Sequence, residues 1–332
     1  MTHRHFCTYF DHRYLARGLA LHHSLSKVCP EFTLWVLALS QEAVCILEKV
    51  ALKNLKIVPL SALEHFDPEL LATRTNRSVV EYYFTCSPCL PRYLLTLDPG
   101  MMAITYLDSD LFFFSSPEPV FAELEPYSVG ITPHRFSPTA AKSHARFGKY
   151  NVGWLTFRRD DAGLACLEWW RDRCIEWCFD RLEGDRYADQ KYLEQFEALF
   201  PSVHSIIQPG ANLAPWNVAG YTVSYGPTQL EIDGQPLIFF HFQGLRRLSN
   251  RIYDSNLTGY GARLTNTLRK DVFRPYLASL QEAEALAEVA GAKANETSGI
   301  RRRARGFKGL RYAAGRLART IRSAMNHNLV RL

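Results

Sequence analysis

Nowhere in its 332 residues does the chain hold an unbroken apolar run of about 18 side chains, so no membrane span is expected. The opening Met1-Thr-His-Arg-His-Phe6 leads into no hydrophobic signal core, which implies a protein made and kept in the cytoplasm. Internal repeats are absent. Glycine is missing from Phe10-Asp-His-Arg-Tyr14, the turn after the first apolar segment, and this counts against a phosphate-cradling loop. Residues 301–332 lack any Asp or Glu.

What is present is ample material for a core. With 47% hydrophobic and 13% aromatic residues, the chain suits one large domain, or one domain with appendages. Cys86-Ser-Pro-Cys89 and Cys174/Cys178 could in principle give zinc four thiolates. The second pair, however, lacks the two-residue spacer and lies in an expected helix among tryptophans. Buried thiols in a reducing compartment are the better reading of all eight cysteines. The net charge of +6 is unevenly placed: residues 301–332 carry ten Lys or Arg, leaving 29 basic against 33 acidic residues elsewhere. A weakly acidic body thus bears a strongly basic tail.

Along the chain, His5–Phe10 reads as a strand and Tyr14–Leu25 as a helix with leucines at helical spacing. Phe32–Leu39 is a continuous apolar run, as in a strand buried on both faces. Gln41–Leu52 follows as helix and Leu55–Pro59 as strand. Tyr82–Leu97 reads as a helix interrupted or kinked at Pro88 and Pro91. Ala103–Leu107 is a further strand, with others over Tyr127–Thr132, Val152–Phe157 and Leu237–Phe242; residues 161–182 and 275–292 are helical. The alternation predicts an α/β fold with a mixed, mostly parallel central sheet. The expected division is a domain over 1–255, a helical extension over 256–293, a linker over 294–300 and a basic amphipathic segment over 301–332.

Chemistry concentrates where the strand Ala103–Leu107 runs into Asp108-Ser109-Asp110. Ligand sites of open α/β sheets lie at the carboxyl ends of strands. Two carboxylates one residue apart are costly there unless a positive charge sits between them. With Ser109 in a turn, both can reach one cation, and oxygen ligands suit Mg²⁺ or Mn²⁺. An isolated Asp-x-Asp is also common in surface turns and helix caps; the apolar strand before it and Leu-Phe-Phe-Phe after it favour the metal reading.

Tyr106-Leu-Asp-Ser-Asp-Leu-Phe-Phe-Phe resembles the metal-binding strand of GT-A fold glycosyltransferases, especially the retaining glycosyltransferase family 8. The likeness continues in order along residues 5–250. Asp11 and Tyr14, followed by Ser24-Leu25, are similar to that family's nucleotide-binding start. Asn151-Val-Gly153 matches its Asn-x-Gly element, Asp189-Gln190 its Asp-Gln-x-x-Leu element, and Trp216-Asn217 a Trp-Asn pair. His241-Phe-Gln-Gly244-Leu-Arg-Arg247 is similar to its His-x-x-Gly-x-x-Lys motif, with Arg247 in place of Lys. Leu248-Ser249 replaces the usual Pro-Trp. The family's Tyr-x-Arg has no clear counterpart near Tyr82-Tyr83-Phe84-Thr85, although Arg77 or Arg92 could substitute.

This resemblance implies a Rossmann-like GT-A domain that uses a nucleoside-diphosphate sugar, with Mn²⁺ or Mg²⁺ held by Asp108, Asp110 and His241. It implies donor contacts from Thr8, Tyr9, Phe10, Asp11, Tyr14, Ser109, Gly153, Gly244 and Arg247, and a reaction centre bordered by Asn151, Asp189 and Gln190. The expected acceptor is a glycan or lipid-linked saccharide, as in bacterial surface polysaccharide or lipopolysaccharide synthesis, with retention at the anomeric carbon. The competing readings are a catalytically silent membrane-associated scaffold and a nucleotidyltransferase; the missing glycine loop speaks against the latter.

His241 in so apolar a run could instead be a core histidine, and Asp189 the acidic first turn of a helix. Tyr9, Phe10 and Tyr14 could be core aromatics, with Tyr14 the best placed to stack on a base. In the tail, Phe307, Leu310, Leu317, Ile321 and Met325 recur at helical spacing between arginines. A tail for nucleic acid needs no apolar stripe, so a peripheral site on the inner membrane surface is expected and nucleic acid is not.

Overall fold

Alternation in the first strand, β1 (Arg4–Phe10), sends Phe6 and Phe10 to one side of a sheet and Cys7 and Tyr9 to the other. The structure, a computed structural model, describes residues 2–293 and 307–332. The expected linker over 294–300 and the first arginines of the tail lie outside the described residues. Helix α1 (Leu15–Val28) returns the chain to β2 (Phe32–Ala38), whose seven residues are all buried. Helix α2 (Gln41–Val50), capped by the Ser40 hydroxyl on Ala43 N, leads to β3 (Leu55–Pro59). Two short helices, α3 (Leu60–Phe66) and α4 (Pro68–Thr73), precede the long α5 (Val79–Leu97).

Then come β4 (Ala103–Leu107), β5 (Leu111–Phe113), α6 (Glu118–Leu124) and β6 (Val129–Pro133). They are followed by α7 (His144–Phe147), β7 (Tyr150–Arg158), α8 (Asp161–Glu176), α9 (Phe196–Leu199) and β8 (Val203–Ser205). Seven strands make one sheet in the order β3-β2-β1-β4-β7-β6-β8. Only β7 runs against its neighbours; the other pairings are parallel. The expected mixed, mostly parallel α/β sheet is therefore present. One face packs on α1 and on α10 (Arg274–Val289), the other on α5 and α8.

After a small meander of β9 (Val223–Tyr225), β10 (Leu230–Ile232) and β11 (Gln235–Pro236), β12 (Phe239–His241) pairs antiparallel with β5. A three-stranded sheet then joins β13 (Arg246–Ser249) and β14 (Ile252–Asp254) to the final strand β15 (Leu329–Arg331). Between them helix α11 spans Phe307–Met325. Among the described residues no helix is long and apolar enough to cross a membrane.

Two expectations are corrected, and one anchor goes beyond them. Helix α5 continues through Pro88 and Pro91, held by a capping box between Ser78 and Glu81 and by packing of its buried face. Helix α8 ends at Glu176 rather than near 182, because Trp177 turns extended and its carbonyl accepts the Tyr192 hydroxyl at 2.8 Å. The end of the tail is sewn into the body: Asn328, fully buried, accepts from Leu264 N and donates to Thr258 Oγ1 and Ala262 O. Apolar periodicity carries no sign of that anchor.

Under α5 lies a buried ion pair. Asp67 caps α4 through Leu70 N and binds the Arg171 guanidinium through both oxygens. Burial acts to raise the Asp67 carboxyl, but the Arg171 hydrogen bonds outweigh it and hold the group below its ordinary value. A carboxyl depressed in the folded state contributes stability that is lost as pH falls below about 4. Glu69 and Asp172 also touch Arg171 from the surface. Asp67→Ala should therefore cost toward the low end of roughly 3–5 kcal/mol in urea unfolding at neutral pH. That cost should shrink in acid; an unchanged unfolding midpoint would show that the pair contributes nothing.

Candidate metal centre

Strand β4 ends at Leu107, and Asp108 N donates to Gly153 O of β7 at 3.1 Å. The chain turns over Ser109-Asp110 and re-enters as β5. Registering β5 against β12 sets Leu111 opposite His241, while Phe242 N donates to Asp110 O. Residues about 130 positions apart are thereby fixed side by side by backbone pairing alone. His241 Nε2 lies 3.0 Å from Asp110 Oδ1 and 3.6 Å from Asp108 Oδ2. One ligand atom from each of the three falls within 4.8 Å of the others, the only such group of His, Cys, Asp or Glu among the described residues.

The electrostatics follow from burial of like charges. Burial raises the Asp108 carboxyl, with Asp110 adding to the rise and His241 opposing it. Burial pushes Asp110 the same way, but the charge and hydrogen bond of His241 win and hold it low. The imidazole is pulled down by burial, yet Asp110 and Asp108 together lift it above its ordinary value. The imidazole and the two carboxylates thus each favour the other's charged form. Two hard oxygens and an imidazole nitrogen form a donor set that fits a divalent transition ion.

Space for the ring comes from Gly153. A Cβ there would lie 2.5 Å from Asn151 Oδ1 and 2.9 Å from His241 Nδ1. The same glycine donates its N–H to Asn151 Oδ1, and Asn151 Nδ2 reaches Gln190 Oε1 at 3.3 Å. His241 Nδ1 is buried without a hydrogen-bond partner, so packing orients the ring: Trp216 meets it edge-on at 5.1 Å. Trp216 and Asn217 are in turn both hydrogen-bonded to the His134 carbonyl. Gly244 takes φ +73 in the turn after β12, where a side chain would strike Asn256.

Asp189 lies behind the centre. Burial lifts its carboxyl to about 7 against a hydrogen bond from Ser87, and Asp108 adds to the rise. Ser87 also meets the Tyr9 hydroxyl at 3.2 Å, Tyr9 packs on Tyr106, and the Tyr106 hydroxyl donates to Asp108 Oδ1 at 2.9 Å. Ser87 and Tyr106 therefore link Asp189 to the carboxylate pair, a connection that sequence spacing does not carry. Gln190 is further held by a 2.7 Å bond to Phe147 O.

The other candidate residues fall around this group. Asp11 accepts from Arg13 N and, through its carbonyl, from Tyr14 N, while Tyr14 itself is 41% exposed at the start of α1. The side chains of Thr8 and Phe10 are sealed in the core. Arg247 is bound to Glu284 of α10 at 2.8 Å. Neither substitute for the missing Tyr-x-Arg faces the centre: Arg77 donates to Ile175 O over the Phe179 ring, and Arg92 pairs with Glu168. The four cysteines weighed as zinc ligands are buried, and burial raises the thiols of Cys86, Cys89 and Cys174 well above the usual range.

Fold and site together define an α/β protein with a partly buried carboxylate–imidazole centre at the carboxyl edge of its sheet. The chain is 34% identical over 251 residues to YfnF of Bacillus subtilis strain 168, covering 74% of this chain and 82% of that protein. It is 32% identical over 279 residues to YfnD of the same strain, covering 83% and 88%. The chain belongs to the family of these two proteins, each described as uncharacterized. No family model matches it. Among solved structures it is similar to the galactosyltransferase LgtC in complex with donor and acceptor sugar analogs. That likeness has a TM-score of 0.48 and 17% identity, over 86% of this chain and 95% of that one.

A protein whose centre takes a cation should be stabilised by it, by about 2.7 kcal/mol at a hundredfold excess over Kd. MnCl₂ should raise the melting temperature of the full chain, and Asp110→Ala or His241→Ala should abolish the rise. Asp108→Asn, which removes a repelled, partly buried carboxylate, should raise stability without metal yet lose the response to it. Equal Mn²⁺ shifts in all four proteins would place the ion elsewhere.

Proposed function

We propose that the chain is a metal-dependent glycosyltransferase of GT-A type, transferring a sugar from a nucleoside-diphosphate sugar, UDP-linked, to a hydroxyl of a glycan or glycolipid. The observation that carries this reading is the convergence of Asp108, Asp110 and His241 at the carboxyl edge of the sheet. The ordered motifs that resemble those of the retaining family 8 support it. A divalent ion held by these three would supply a positive charge for the donor diphosphate.

The chain's own residues then divide the work. Exposed Tyr14, at the mouth beside Asp11, is available to stack on the base. Asn151, tied to Gln190, and Asp189 orient the donor sugar at the reaction centre. With its carboxyl lifted to about 7, Asp189 can donate a hydrogen bond to a sugar hydroxyl as well as accept one. Arg247 serves as a second charge for the diphosphate if it exchanges its bond to Glu284 for phosphate. Retention of anomeric configuration is the outcome that agrees with the resemblance.

The acceptor site belongs beside a membrane. On α11, Leu317, Ile321 and Met325 are 62%, 51% and 75% exposed at successive four-residue steps, with Arg319 and Arg322 beside them. An exposed apolar stripe flanked by arginine suits an anionic leaflet, at about 1 kcal/mol per basic residue near the surface. This reading places the enzyme on the cytoplasmic face of the cell membrane, acting on lipid-linked saccharides of a surface polysaccharide or lipopolysaccharide.

A screen of nucleotide sugars should find one that the protein hydrolyses slowly in the presence of Mn²⁺ and not in EDTA. Asp108→Asn and Asp110→Asn should each lower that rate by at least about 100-fold; wild-type rates in both would sink the metal-dependent reading. In flotation with phosphatidylglycerol vesicles, the full chain should bind and the triple change Leu317→Ser, Ile321→Ser, Met325→Ser should release it. Equal flotation of both proteins would move the membrane contact away from α11.

A further inference from the structure

Arg17 is out of place for a helix residue facing the core. It sits on the first turn of α1 with 8% of its surface exposed, and among the described residues no carboxylate lies within ion-pair distance of it. Its guanidinium donates from Nη2 to the Leu245 carbonyl at 2.9 Å and stacks 4.5 Å over the Tyr14 ring. Burial opposes its charge, but Tyr14, Tyr276 and Asp110, with a hydrogen bond to the Tyr14 side chain, outweigh burial and favour the charged form. The Tyr276 hydroxyl is itself buried without a hydrogen-bond partner. Asp110 is thus the negative charge that offsets this enclosed guanidinium, and a cation bound to Asp110 would take that charge up, leaving Arg17 to be met by another anion.

Arg247 differs in every respect. Its charge is already met by Glu284, with side chains only 12% and 15% exposed. Both arginines line one narrow pocket between α1, β13 and α10, together with Leu245, Tyr253 and Glu284. Within that pocket one guanidinium touches a carboxylate and, among the described residues, the other does not.

We propose that Arg17 is the protein's principal binding residue for the donor diphosphate, reached from the side of Asp110, and that Arg247 is held in reserve by Glu284. The inference rests on the glycosyltransferase reading. Two carboxylates balance one divalent ion, so Arg17 is the surplus positive charge of the centre, and a nucleoside diphosphate is the class of anion that brings enough negative charge to use it. The alternative is a structural clamp, in which Arg17 only holds the turn from His241 to Arg247 through Leu245 O.

Binding separates the two. Removing a positive charge next to Asp110 should leave Mn²⁺ binding alone as tight or tighter, whereas a broken clamp should weaken it. The full chain, Arg17→Gln and Arg17→Lys are titrated with Mn²⁺ by electron paramagnetic resonance, then with UDP, UMP and uridine by calorimetry in saturating Mn²⁺. Arg17→Gln should raise the UDP Kd by at least about tenfold, leave uridine unchanged, and keep Mn²⁺ affinity; Arg17→Lys should fall between. If the glutamine variant does not fold, the lysine variant decides, since a clamp needs only a donor to Leu245 O while a diphosphate site loses its fork. Weakened Mn²⁺ binding, or equal UDP affinity in all three, would overturn the assignment to Arg17. If the unaltered chain binds no nucleoside diphosphate with Mn²⁺, across UDP, ADP, GDP, CDP and TDP, the functional reading itself fails.

Discussion

The charge problem created where β4 ends governs the centre. Asp108 and Asp110 are both partly withdrawn from water, and two ionised carboxylates in such a place repel each other and lose hydration together. His241 answers this as far as one side chain can, with its ring nitrogen 3.0 Å from Asp110 and its own proton affinity raised in return. Much of the local architecture serves that meeting. The pairing of β5 with β12 delivers the histidine, Gly153 clears the volume its ring occupies, and Trp216 stops it turning. A centre so arranged gathers two carboxylates and an imidazole around one point, where a cation would relieve their repulsion.

Around it, polar groups are connected rather than scattered. Tyr106, Tyr9 and Ser87 join Asp108 to Asp189 across the sheet, so the charge on one carboxylate is felt at the other. On the opposite side, Arg17 and the Leu245 carbonyl tie α1 to the turn carrying Gly244 and Arg247. The site is thus gripped by β1, β4, α1, α5 and β12, elements spread over most of the chain. That distribution explains why its parts look unremarkable when read singly in sequence.

Several features were legible there. The unbroken apolar run of β2 announces a strand buried on both faces, and Asp108 follows an apolar strand as a ligand residue of an α/β sheet should. The grouping of His241 with the two aspartates came through ordered motifs, since no local pattern distinguishes it from a core histidine. Other features were hidden. Pro88 and Pro91 suggest a break, but tertiary packing and the Ser78–Glu81 cap carry α5 through them. Arg17 sits among leucines at helical spacing, and only the fold reveals what it faces. Asn328 and β15 anchor the end of a segment whose composition speaks only of arginine and solvent.

The central claim is that Asp108, Asp110 and His241 hold one divalent ion for a nucleoside diphosphate. Crystals of the full chain soaked with MnCl₂ and UDP, measured at the manganese absorption edge, address it most directly. One strong anomalous peak should lie within coordination distance of all three side chains, with the diphosphate beside it. A peak at any other position, or UDP bound with no metal between these residues, would contradict it.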